Sequence, residues 1–575
     1  MWGLGIGAMQ AAIALSPFCT KPTQAAERIT FSLGATIERS ISVESLEVYA
    51  AEGRVTEELA PYIAYAQNLD PQAAVRVRSL LSQRVDLDVI TVAQFAYTPQ
   101  GEYLLDQAGE VFRTGARLPG GQGLRGAAIL AAADSDEGLT LLNVIRRFPT
   151  PVLRIDLPKG LAIAAETTDA FSQAQRAVDL ISELSFEAAS LPFPAGTSAA
   201  SLDELISLPG LYSYRQFSLR VKASPTPVEV YLPQGIQRPQ DVSDAAAFSS
   251  RGLPAVVISH GLGSDRDSYA YLSRFLAQHG FAVINLEHAG SSANQLDALV
   301  SGRTDQVVPD EEFINRPLLV SAVLDDLQNR ALTDKSLSGI NFNNVGIIGQ
   351  SFGGYTALAV AGAPVDLELL RNACPPEFSV NISLLLQCQA VAILPEAGYA
   401  YALADQRSIS FFDPRIQAVV AINPITSTIL GPQSLAEIDL PVLMIAGSAD
   451  TVAPALPEQV RPFTWLSPGT GDQLKDVITS DRYLLVMEGG THFSTIGLSG
   501  RETFDLPSDV IGPVPEVAQR YTQVMSLAFL STYLKGDNRY RPVLTSAFTT
   551  RYSDPAMPLS IVPSLSPNQL EAQIK

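Results

Sequence analysis

Val345-Gly346-Ile347-Ile348-Gly349-Gln350-Ser351-Phe352-Gly353-Gly354-Tyr355 runs from an apolar stretch of strand length into a series of small residues, Gly354, Ala357, Ala359 and Ala361. The string Gly349-x-Ser351-x-Gly353 falls at the junction, and it is this order of buried strand, sharp turn and small-residue helix that gives the string meaning. Side chains at 349 and 353 would collide with neighbouring backbone in so tight a turn, while Ser351 is thrust out above it. Outward from this point, from Phe217 onward, apolar runs of strand length alternate with helical stretches: VEVYL (228–232), AVVIS (255–259), FAVINL (281–286), VGIIG (345–349), AVVAIN (418–423), PVLMIAG (441–447) and YLLVME (483–488). That alternation predicts a mostly parallel sheet with helices on both faces.

A strand, a Gly-x-Ser-x-Gly turn and a helix within such a sheet resemble the α/β-hydrolase fold, in which the serine is a nucleophile and its partners follow in the order acid, then histidine. A serine hydroxyl needs a base to remove its proton, and the chain has four histidines to offer. His260 and His288 precede Ser351, and His279 lies near a predicted helix end. His492, in Gly489-Gly490-Thr491-His492-Phe493 after the apparent last core strand, is the expected base. Asp450, at the end of the run Pro441–Gly447 and its Ser448-Ala449 turn, is the expected acid; the preceding strand ends in Ile422-Asn423-Pro424, with no carboxylate. The oxyanion donors implied by the fold are the N–H of Phe352 and, in Ser259-His260-Gly261-Leu262-Gly263, the N–H of Leu262, with Gly261 and Gly263 allowing the loop to curl inward. His260 is expected to brace that loop, and His260 and His288 are candidates for the rim of the substrate site.

At 575 residues the chain exceeds the size of a single core. Four parts are expected: a signal peptide over 1–26, a small mainly helical domain over 27–155, a helix and linker over 156–210, and a catalytic domain over 211–560 with a cap-like insertion near 364–410. The N-terminal apolar run ending in Ala25-Ala26 has signal-peptide character and implies export; Phe18 beside Cys19 argues against a lipoprotein cleavage box, and a buried helix or short anchor is the competing reading. Residues 28 to 150 show helical rather than strand spacing, Leu118–Leu124 reads as a loop, and TTDAFSQAQRAVDLISELSFEAA (167–189) reads as a long helix. A net charge of −20 without a compensating basic cluster excludes nucleic acid as an expected partner. Once Cys19 leaves with the signal, Cys374 and Cys388 form an even pair, which in an exported protein favours a disulfide over two buried thiols. No metal site is implied.

Three motifs give the resemblance a narrower form. His260-Gly261-Leu262-Gly263, Glu287-His288-Ala289-Gly290-Ser291-Ser292 and Gly349-Gln350-Ser351-Phe352-Gly353-Gly354 are similar to those of the platelet-activating-factor acetylhydrolase and dienelactone-hydrolase-like branch of the α/β-hydrolases, over roughly 215 to 540. The resemblance implies hydrolysis of a small-molecule or lipid ester by a Ser-Asp-His triad without cofactor or metal, and, for a lipid, transient contact with a membrane surface. Gln350 departs from the histidine more common at that position, and the Cys374 to Cys388 excursion is extra; both bear on the substrate. Leu384, Leu385, Leu386, Ile393 and Leu394 in and after that excursion line an expected apolar entrance, or else bury against the sheet. Gly447-x-x-Asp450-x-x-Ala453-Pro454 is also similar to cutinase-like polyester hydrolases. SLEVYAAEG (45–53), LRGAAILAAA (124–133) and RRFP (146–149) resemble the helical domain of unknown function that precedes cyanobacterial α/β-hydrolases. Two further readings stay open, a serine peptidase on the same scaffold and a binding protein that kept the fold without the chemistry. The first would be expected to carry a strand-rich propeller where this chain is helical; the second would be expected to have lost a triad member or a loop glycine.

Overall fold

The computed structural model describes residues 25–33, 37–69, 72–190, 205, 210–236, 252–374, 381–393, 407–466, 481–497 and 508–575. The expected signal peptide, apart from its last two residues, and nearly all of the linker after 190 lie outside them. The chain divides into two compact units, Met1–Ile163 and Ala164–Lys575.

The first unit is not purely helical. Strands β1 (Arg28–Leu33), β2 (Ile37–Ser42), β3 (Phe112–Thr114) and β4 (Val152–Asp156) form a sheet in the order β2-β1-β4-β3, with β1 and β4 parallel and the outer pairs antiparallel. The alternation Ile29, Phe31, Leu33 in RITFSL is a period-two signal that the stronger helical spacing downstream had masked. Helices among the described residues follow the helical spacing, beginning with Val43–Glu52, whose N-cap Ser42 accepts from the Ser45 N–H and which ends at Gly53 in the left-handed conformation. The stretch 118–124 is only half a loop: a helix starts at Gly121, because glycines let this chain cross the Pro99–Val111 helix so closely that a Cβ on Gly109 would lie 2.2 Å from the Gly121 nitrogen. Ile29, Ile41, Leu46, Tyr49, Phe148 and Leu153 fill the core of this unit. The helix expected over 167–189 is longer, Leu157–Ala189.

The second unit has the α/β-hydrolase fold. Its strands are β5 (Tyr212–Leu219), β6 (Val228–Ile236), β7 (Leu253–Ser259), β8 (Ala282–Asn285), β9 (Ile340–Gln350), the short β10 (Val365–Asp366) and β11 (Ser408–Ile409), β12 (Ile416–Ile422), β13 (Val442–Gly447), β14 (Arg482–Met487) and β15 (Leu559–Val562). Nine form one sheet in the order β15-β14-β13-β12-β9-β7-β8-β6-β5, while β10 and β11 pair separately at the base of the excursion. The six strands from β8 to β14 in that order are mutually parallel; β6 and β15 run against them, and β5, antiparallel to β6, runs with them again. Interior strands are buried on both faces: Ala255 and Val257 of β7 join one core cluster, and Val256 and Ile258 the other. YLLVME is therefore not the last strand, since β15 closes the edge after it.

Within the excursion, the helices Leu367–Ala373 and Ile382–Gln389 are joined by a Cys374–Cys388 disulfide with Cα atoms 5.4 Å apart. Leu385 and Ile393 are buried; Leu394 lies outside the described residues. Among the described residues no helix is long and apolar enough to cross a membrane.

Candidate active site

Parallel pairing of β9, β12, β13 and β14 brings four strand ends into one row: Gln350 pairs with Ile422, Ile422 with Ile445, and Gly447 with Met487. Every residue expected to carry chemistry after position 345 follows one of these ends. Ser351 is the N-cap of the wholly buried helix Phe352–Val360 and has φ 56° and ψ −118°, a backbone conformation that costs a non-glycine residue on the order of 1–3 kcal/mol. The turn is as tight as its glycines imply, because a Cβ on Gly349 would sit 1.9 Å from the Gly353 carbonyl oxygen and one on Gly353 2.0 Å from that of Ser259. The Ser351 N–H donates to the Ile422 carbonyl at 2.9 Å, which fixes the turn to the neighbouring strand end.

His492 and Asp450 meet. The His492 Nδ1–H donates to Asp450 Oδ2 at 2.6 Å, and both residues are buried. Asp450 Oδ1 accepts from the Val452 and Ala453 N–H groups at 2.8 and 2.7 Å, so the carboxylate is held in one orientation by its own turn. The imidazole is thereby fixed in the tautomer that leaves Nε2 unprotonated and able to accept a proton. Among the described residues no hydrogen bond joins Ser351 to the His492 ring, a looseness common before substrate binds.

Opposite this row lies the loop after β7. Neither the Leu262 nor the Phe352 N–H donates to a protein acceptor among the described residues. Gly261 is held against the nucleophile turn, since a Cβ there would be 3.2 Å from Ser351 Cβ and 2.2 Å from Gln350 Oε1. Gly263 has φ 73°, and its N–H donates to the Ser291 carbonyl at 2.9 Å, tying this loop to the one after β8.

The two histidines expected at the rim are instead interior. His260 is 1 % exposed; its Nδ1–H donates to the Gly261 carbonyl at 2.7 Å and its Nε2 accepts from the His288 N–H at 3.0 Å. Burial, reinforced by the Arg316 charge, holds its pKa down to about 3, so it is a neutral strut. His288, equally buried, bonds through Nε2 to Ser259 Oγ at 2.8 Å, and burial puts its pKa well below the ordinary histidine range. Both brace the two loops.

Three polar residues that no motif had singled out hold the site together. Asn423, at φ 41° after β12, accepts from the Gly447 N–H at 2.9 Å and donates to the Thr491 and His492 carbonyls at 3.2 and 3.5 Å, linking the strand ends of Asp450 and His492. Glu458 is fully buried in the turn Leu456–Val460, and its carboxylate accepts from Asn381, Gln387 and Ser427 side chains and from the Thr426 and Ser427 N–H groups. It thus joins the excursion to the loops after β12 and β13. Arg316 is fully buried behind the loop after β7 and donates to the His260 carbonyl. The strand-end Asn-Pro of Asn423 was the one available sequence signal among these.

Two family models match the chain. One, described as an alpha/beta hydrolase of unknown function, covers residues 25–156; the other, described as platelet-activating factor acetylhydrolase, isoform II, covers residues 236–316, which hold the loops after β7 and β8 and the start of the helix Glu312–Ala331. No curated protein matches it. With the nine-stranded sheet, these matches support placing the chain in the α/β-hydrolase superfamily and, as a class, point to a hydrolase of the lipase or esterase type.

Proposed function

We propose that the chain is a serine carboxylic ester hydrolase with Ser351 as nucleophile, His492 as general base and acid, and Asp450 as the carboxylate that orients and stabilises the imidazole. The observation that carries this reading is the 2.6 Å bond between His492 Nδ1 and Asp450 Oδ2 after β14 and β13, in the same row of parallel strand ends as the one that bears Ser351. In the reaction His492 Nε2 takes the Ser351 proton as Oγ attacks the ester carbonyl, and the oxygen that gains negative charge is received by the Leu262 and Phe352 N–H groups. Collapse expels the alcohol, protonated by His492, and leaves an acyl group on Ser351. Water, deprotonated by the same histidine, attacks that acyl carbon; the acid departs and Ser351 regains its proton.

The substrate we propose is an amphipathic ester with a short or medium acyl chain. Support comes from the family match over 236–316 and the motifs of the two loops it spans. Action outside the cytoplasm belongs to the same proposal, and the Cys374–Cys388 disulfide is consistent with it. The deciding experiment compares p-nitrophenyl esters of increasing acyl length, a polyester film and chromogenic peptides, with a fluorophosphonate probe to identify the nucleophile. Ester turnover with labelling of Ser351 is expected; peptide cleavage without ester turnover, or labelling of another residue, would overturn the reading.

A further inference from the structure

Arg316 is the anomaly of the second unit. It stands in the first turns of the helix Glu312–Ala331 and is completely buried, yet among the described residues it makes no ion pair and its Nε and Nη1 have no hydrogen-bond partner. A buried guanidinium is costly, and an apolar side chain of the same volume would fill the space at less cost. The nearest candidate counter-charge, Glu312, is one turn earlier, and its carboxylate accepts from Ser291 Oγ at 2.7 Å. Burial brings the Arg316 pKa down to about 9, which leaves the cation intact at neutral pH.

Its hydrogen bond and its ring contact are with the two segments that present the proposed oxyanion donors. Nη2 donates to the His260 carbonyl at 2.5 Å, and the guanidinium carbon lies 4.4 Å from the centre of the Phe352 ring. His260, whose carbonyl is thus pinned, donates from Nδ1 to the Gly261 carbonyl at 2.7 Å. The Gly261–Leu262 peptide is planar and its N–H points opposite to its C=O. Fixing the Gly261 oxygen on the His260 ring therefore directs the Leu262 N–H away from that ring. One guanidinium consequently governs both donors: the first through the relay Arg316, His260, Gly261, the second through the ring of Phe352, which Phe313 also supports at 4.7 Å between centroids.

We propose that Arg316 is a positioning residue for the oxyanion hole, which holds the Leu262 and Phe352 N–H groups in register and places a permanent positive charge behind the developing oxyanion. The inference rests on the serine-hydrolase reading above. A charge in this low-dielectric interior acts on the tetrahedral state, where the oxygen is negative, and hardly on the neutral ester, so it belongs to kcat and not to KM.

The test compares Arg316→Met, which keeps the volume without charge or donors, and Arg316→Lys, which keeps the charge without the planar fork, in the full chain. For each, kcat and KM are measured on a p-nitrophenyl ester, together with the Kd of a boronic acid that forms a tetrahedral adduct on Ser351, the rate of fluorophosphonate labelling and the melting temperature. The expected result for Arg316→Met is a fall in kcat of about 100-fold, the size seen when an oxyanion donor is lost, with a parallel weakening of the boronic acid and KM within about 2-fold. Arg316→Lys is expected to lie between, and it decides the matter should Arg316→Met fail to fold. Unchanged kcat and boronic-acid affinity in a folded variant that still labels at Ser351 would overturn this inference alone. Absence of labelling at Ser351 in the parent chain would overturn the hydrolase reading and this inference with it.

Discussion

The backbone N–H of Ser383 donates to the carbonyl of Val452 across 2.9 Å, and Val452 belongs to the turn whose N–H groups hold Asp450 Oδ1. The disulfide-bearing excursion is therefore in direct contact with the turn that sets the proposed catalytic acid. Replacing Cys374 and Cys388 with serine should lower stability by about 3 kcal/mol, the chain-entropy value for a loop of this size. It should also reduce kcat several-fold while leaving the Ser351 labelling stoichiometry intact. Urea melts and steady-state kinetics of the oxidised, reduced and double-serine forms check this, and identical kcat in all three would show that the strap stabilises the fold without tuning the acid.

Ser351→Ala and His492→Ala should each lower kcat by roughly four orders of magnitude or more, the first without lowering the melting temperature and the second at some cost to it because Asp450 Oδ2 loses its buried partner, while Asp450→Asn should give a comparable loss by permitting the wrong imidazole tautomer. Kinetics with a p-nitrophenyl ester, corrected for trace contaminating esterase, measure all three. A Ser351→Ala protein within tenfold of the parent would remove the assignment.

Asn423→Ala should cost about 2 kcal/mol of stability and lower kcat about tenfold, because it removes three hydrogen bonds and places a Cβ residue without side-chain compensation at positive φ. Asn423→Gly keeps the backbone freedom and loses the same bonds, so the pair separates the two causes. Recovery of full activity in the glycine variant would show that the bonds to Gly447, Thr491 and His492 do not position the site.

Acid should destabilise the second unit earlier than its carboxylates alone would. His260 has a folded-state pKa of about 3 against ~6.5 when unfolded, and His288 is shifted in the same direction. A folded pKa below the unfolded one means the stabilisation is complete above ~6.5 and is lost as pH falls from there toward 3, since only the unfolded chain takes up the proton. Urea midpoints measured from pH 7.5 to 4.5 should therefore decline already below pH 6.5, and His288→Gln should flatten part of that slope. A midpoint constant down to pH 5 would contradict the buried neutral histidines.

The parts of the fold that could be read in advance share one property. Strands β7, β8, β9, β12, β13 and β14 carry continuous apolar runs because a parallel strand covered on both faces has little room for polar residues, and β6 carries a shorter one broken by Glu229. The edge strand β5, with Arg215 and Gln216 exposed, and β15, four residues near the C-terminus, carry no such run. In the first unit, short strands beside long stretches of helical spacing give too weak a local signal to stand out. The site divides in the same way. Asp450 and His492 were legible because each directly follows an apolar strand, so local order implied proximity. Arg316 reads locally as one more charge in EFINRPLLVSAV, and its burial is decided by what packs around it: the loop after β7 and the ring of Phe352, neither adjacent in sequence. The burial of His260 and His288 is decided in the same way, so that His260 is the loop brace expected and neither ring stands at the rim.

The positive φ of Ser351 sets the terms on which this chain can drift. The strain at that turn is carried for the serine alone, and a glycine there would occupy the same backbone angles at ease. Ser351→Gly, which removes the proposed nucleophile, would thus relieve the strain of the turn, offset in part by the freedom a glycine adds to the unfolded chain. Folding alone therefore gives no reason for a serine at this strained position, whereas the proposed chemistry does.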